Sequence, residues 1–155
     1  MKRLAVATLA LVLLISSGSW AWAQDQSLQD SPATVTLVWP QDCTAINYDD
    51  LHSIADYLLV LAWYHVEDAK AYLLSMLFDK GGGEFGEWDG IVSLQYVVLW
   101  EGLAILPFLL DEATWNALAS YVITWQVRAL SDPTDPTSVI AVSPKFAFTM
   151  NPVVR

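Results

Sequence analysis

Residues Val97–Leu110 read VVLWEGLAILPFLL, an apolar run broken by one carboxylate, Glu101, and one proline, Pro107. The fold turns on whether this is a membrane span, a buried helix holding a satisfied acid, or part of a site. Extended back to Ile91, the stretch has the length of a span, about 20 residues. Its Leu, Ile, Val and Phe residues supply on the order of −5 kcal/mol at mid-bilayer, and a central acid opposes with about 2.5–3.5. Ser93, Gln95, Gly102 and Pro107 add further cost. The balance is near zero, so nothing compels insertion. The preceding apolar run, Tyr57–Val66, is bounded by Asp56 and Glu67 and is about half a bilayer long. A two-span hairpin is therefore disfavoured. The segment is expected to be the central helix of a soluble bundle, with Glu101 partnered by Arg128, a Tyr hydroxyl or a Trp N–H. A single membrane span is the alternative.

The neighbours are read the same way. Asn47 is a plausible N-cap, and the following LHSIADYLLVLAWYHVEDAKAYLLSMLFDK contains no Pro or Gly, so a helix is expected over about Asp50–Lys80. Glycines in the loop Gly81–Gly90 end it. A second helix runs from Ile91 to Leu106 or Leu110, where Pro107 kinks or stops it. Asp111 caps a third, Glu112–Leu130, with Asn116, Ser120, Thr124 and Arg128 as a polar stripe. Thr34–Trp39, Val139–Val142 and Lys145–Met150 have strand character. Ser131–Ser138, SDPTDPTS, is a Pro-punctuated linker. The fold class these elements predict is mainly α: a small three-helix, bundle-like domain over 34–130, with short β segments at its N- and C-terminal ends. A tail, 131–155, follows it.

The chain opens MKRLAVATLALVLLISSGSWAWAQ, with Lys2 and Arg3 before an apolar stretch and an A-x-A site at Ala21–Ala23. This is the pattern of a signal peptide over 1–23, followed by a polar leader over 24–33. The protein is expected to be exported, to a periplasm or the extracellular space. With Lys2 and Arg3 taken from the seven basic residues, five face 17 acidic ones, a net charge of about −12. Such a surface repels nucleic acid and anionic lipid.

Cys43 is the only cysteine, so an internal disulfide is excluded; a buried, inert thiol is the first expectation and an intermolecular link the second. No nucleophile elbow, P-loop, dinucleotide fingerprint or haem motif is present, and an enzyme is not favoured. His52 and Asp56 lie four residues apart on one helical face, and with Glu101 they are the first candidates for a metal. The loop Asp79–Gly90, DKGGGEFGEWDG, has glycines at positions three and five and at position twelve, where a calcium loop requires oxygen ligands. No cofactor is specified.

Tryptophan is the most unusual feature: six of the eight follow the leader. Phe85 and Trp88, in the glycine loop, are candidate contacts for a partner, a glycan or a membrane surface, and Trp100 joins them as an interaction residue. Helices this apolar leave a surplus of hydrophobic surface, which a homo-oligomer, a protein partner or an apolar ligand would cover. The functional expectation is an exported, non-enzymatic helical domain acting by self-association or partner binding through apolar helix faces. The alternatives are a small metal- or ligand-binding protein and a membrane-anchored one.

Overall fold

The computed structural model describes residues 33–48 and 57–153, which form two β-sheets and one short helix. The strands are β1 (Ala33–Thr34), β2 (Leu37–Trp39), β3 (Thr44–Ile46), β4 (Leu58–Tyr64), β5 (Ala71–Gly81), β6 (Glu84–Ser93), β7 (Val98–Trp100), β8 (Leu103–Leu109), β9 (Val122–Leu130), β10 (Val139–Val142) and β11 (Phe146–Met150). The helix, α1, is Glu112–Leu118. The expected mainly α bundle is overturned. Of the first expected helix, the described part, Tyr57–Lys80, carries β4 and most of β5. Ile91–Leu110 carries the end of β6, then β7 and β8, and Glu112–Leu130 is helical only in its first third. No helix among the described residues is long and apolar enough to cross a membrane.

Burial in two directions explains the error. In LLVLAWY of β4, Leu59, Leu61 and Trp63 join the core cluster, while Leu58, Val60, Ala62 and Tyr64 occupy the other face. Both faces are apolar, so the alternation that marks a strand is erased. In β5, Ala71 through Ser75 are all buried, with the same result. In β9, Ile123, Trp125, Val127 and Ala129 are buried between the less buried Thr124, Gln126 and Arg128, the ordinary period of two. Asp111 does cap α1 as expected, its carboxylate accepting from Thr114 N–H at 2.7 Å. Hydrogen bonds from the Thr114 side chain and backbone hold its carboxyl below the usual aspartate range.

The four-stranded sheet has the order β2-β4-β8-β7, all antiparallel. In the seven-stranded sheet, β5 lies between β6 and β9; the far edge of β9 is shared by β10 and β11, which carry β1 and β3 as parallel partners. With β1 and β3 set aside and β10 and β11 taken together as one strand, chain order assigns these sheets as A-B-E-D and C′-C-F-G, the connectivity of an immunoglobulin-type sandwich. Antibody domains bridge strands B and F with a disulfide. Here the corresponding β4 and β9 carry the fully buried Trp63 and Trp125 instead. Trp63 meets Tyr72 of β5 edge-on, ring centroids 5.0 Å apart. Helix α1 closes one end, with Trp115 buried and its Nε1–H donating to the Asn151 carbonyl at 2.8 Å.

Cys43 is exposed, not buried, and sits at φ 61° beside β3. Its thiol is expected to react stoichiometrically with a disulfide reagent such as DTNB in native buffer, without denaturant. Labelling seen only after unfolding would contradict the exposed position.

Candidate functional site

The stretch VVLWEGLAILPFLL is a β-hairpin: β7 and β8 joined by Glu101 and Gly102. Both turn residues have positive φ, 49° and 81°, as a two-residue type I′ turn requires. Glu101 is therefore exposed at a turn and not buried in a helix beside Arg128. Left-handed φ disfavours a side chain such as Glu. Glu101→Asn is expected to raise unfolding stability by about 1 kcal/mol, read from the urea midpoint; an unchanged or lower midpoint would contradict the turn geometry.

The hairpin and β4 together place ten residues on the outer face of the four-stranded sheet. From β4 come Leu58, Val60, Ala62 and Tyr64; across from them on β8 stand Leu109, Pro107, Ile105 and Leu103; and β7 adds Val98 and Trp100, opposite Ile105 and Leu103. None is charged. Leu109 is 63% exposed, Trp100 59%, and Tyr64 and Val98 54% each. Isolated exposed apolar residues are ordinary, but a contiguous face of them marks an interaction surface. The outer face of the other sheet is the control. Its rows mix Asp79, Glu87, Asp89, Thr124, Gln126 and Arg128 with apolar residues.

The edge beside this face is partly closed. Trp100 and Leu103 flank the two-residue turn, and such a flanking pair exchanges both ladder bonds, which turns the Leu99 N–H and C=O toward the open edge. The Val97 N–H is taken by the Leu94 carbonyl. Pro107 lies where β8 has run past the end of β7, an edge position at which its missing N–H is tolerated and blocks strand addition. Among the described residues the face, rather than the edge, is the larger surface left without a covering element.

The sequence-derived candidates scatter. His52 and Asp56 lie outside the described residues, and Glu101 sits at a hairpin tip. Among the described residues no three His, Cys, Asp or Glu side chains converge as metal ligands. Phe85 is 69% exposed on β6, in the other sheet. Trp88 is half-buried rather than exposed, its ring lying over Gly90 where a Cβ would collide with it. Only Trp100 belongs to the apolar face. Sequence reasoning missed Val60, Ile105 and Leu109; a Glu-Gly pair between two apolar runs was the signal that would have found the hairpin and hence the face.

A cavity of about 50 Å³ between β5, β9 and Lys145 would hold little more than water. The chain matches no protein-family model, and comparison with curated proteins finds no significant similarity.

Proposed function

We propose that this chain is an exported sandwich domain that works by association, binding a protein partner through the outer face of its four-stranded sheet. The observation that carries this reading is the uncharged row pattern of β4, β8 and β7 on a chain whose formal net charge is −10. On this face Leu58 and Ala62 are buried, Val60, Leu103 and Ile105 half-buried, and Tyr64, Val98, Trp100, Pro107 and Leu109 exposed. Keeping so many exposed side chains free of charge favours water exclusion by a partner. The leader pattern at 1–23 supports export. Immunoglobulin-type connectivity is compatible with many activities, so the face and not the fold supplies the reason.

The test places a photo-crosslinking amino acid at Trp100, at Leu109, or at Thr124 on the opposite sheet, in the full chain made in its producing cells. Discrete adducts are expected from positions 100 and 109 and not from 124. Ile105→Lys, at the centre of the face between Ala62 and Val98, is expected to abolish them, while Phe85→Lys, the same charge change on the other sheet, leaves them intact. Adducts formed equally at 124, or unaffected by Ile105→Lys, would overturn the reading.

A further inference from the structure

Resting on that reading, we infer that the occupant of the apolar face is a cationic amphipathic segment of a partner protein, of the size of one short helix. Dimensions and charge both point there. The face is as long as β8, Leu103–Leu109, about 20 Å at 3.4 Å per residue, and three strands wide, about 10 Å between the outer strand axes. A helix is about 10–12 Å across and rises 1.5 Å per residue, so about 13 residues cover it. Laying a helix on an apolar sheet face is one of the few ways to cover it.

A second copy fits less well. The footprint is on the order of 300 Å², below the roughly 800 Å² per partner of a stable interface, for a helical segment and a second copy alike, so charge decides between them. Carboxylates also stand at both ends of the face. Glu101 is exposed at the β7–β8 turn, beside Trp100 and Leu103. Asp111 is exposed two residues beyond Leu109, with its carboxyl held below the usual range and so ionised at neutral pH. Two copies meeting face to face would bring acidic ends onto acidic ends in either orientation, and like charges across an interface reject a partner. The described cations are elsewhere. Lys80 and Arg128 lie on β5 and β9 of the seven-stranded sheet, Lys145 directly precedes β11, and Lys70 directly precedes β5, its backbone N–H donating to the Leu130 carbonyl. An apolar stripe flanked by Lys or Arg therefore finds a matching apolar centre, a carboxylate at each end and, among the described residues, no ammonium on the face itself.

The experiment titrates the folded protein with two synthetic amphipathic helical peptides that share one Leu stripe, one carrying Lys and the other Glu on the polar positions, followed by calorimetry. The Lys peptide is expected to bind at least about tenfold tighter than the Glu peptide, to weaken several-fold in Glu101→Gln, and to weaken further at about 1 M salt. Binding is also expected to be lost in Ile105→Asn, which leaves the net charge unchanged and separates the face from non-specific attraction to an acidic protein. Equal binding of both peptides, Lys-peptide binding indifferent to Ile105→Asn, or binding of neither would overturn the inference. So would a concentration-dependent dimer in light scattering that Ile105→Asn dissociates, or capture by neutral phosphatidylcholine vesicles that the same variant abolishes. Crosslinking from position 100 reports separately: adducts there with no peptide preference would sink the cationic segment and leave the association face standing.

Discussion

Trp125→Ala is expected to lower unfolding stability by about 3–5 kcal/mol, a large part of the roughly 5–15 kcal/mol that holds a domain of this size together. Trp125 is fully buried at the middle of β9, with Met76 of β5 on one side and Phe146 of β11 on the other. Truncation empties the space between these neighbours and the facing sheet, and strands anchored on both flanks cannot collapse into it. Trp125→Phe should behave very differently. The indole Nε1 of Trp125 is buried without a hydrogen-bond partner, and an unsatisfied buried donor costs about 1–3 kcal/mol. Phe keeps much of the ring and removes that donor, so a loss within about 1.5 kcal/mol is expected. Guanidinium denaturation of the three proteins checks both values. A Trp125→Ala loss under about 1 kcal/mol would mean that the two sheets do not pack on this residue. A Phe variant as damaged as the Ala variant would mean that the Nε1 has a partner.

Some of the fold is legible in the sequence, and the failures share one cause. Asp111 was legible as a cap because a carboxylate immediately before a helical run has one simple use. The β character of Val139–Val142 and of Lys145–Met150 was legible from their β-branched and aromatic composition and their bounding prolines. In contrast, β4, β5 and β8 were hidden. A strand reveals itself by alternation, and alternation needs a polar face. LLVLAWY and LAILPFL lack one, because their outward residues Val60, Ala62, Ile105 and Leu109 are as apolar as the inward Leu59, Leu61, Ala104 and Leu106. What remains is a Leu- and Ala-rich run that satisfies helix composition equally well. The property that concealed these strands is the property proposed to make the face functional. Glu101 misled for a related reason: between two such runs, a carboxylate reads as a buried acid unless Glu-Gly is weighed as a turn.

Tyr72→Phe is expected to cost about 1–3 kcal/mol, although it removes a single oxygen. Tyr72 is fully buried on β5, and its hydroxyl lies where the chain leaves β4 for β5. It accepts from the Val66 N–H at 3.0 Å and sits 2.7 Å from His65 Nδ1. The assignment that uses every group once has the Tyr72 O–H donating to Nδ1, which places the His65 proton on Nε2. Deleting the oxygen strands a backbone donor and a ring acceptor together, at the turn that carries the chain from one sheet to the other. Burial also pushes the Tyr72 hydroxyl above its ordinary value of 10.0, and this fixes the sign of a pH effect. Below about pH 10 both folded and unfolded chains hold the phenolic proton. As pH rises past that value the unfolded chain releases it first, so the wild type loses stability with rising pH while Tyr72→Phe lacks that contribution. Urea midpoints of the two proteins are expected to lie far apart at neutral pH and to converge above about pH 10. Parallel curves across that range would show that the hydroxyl is as well solvated in the folded protein as in the unfolded chain.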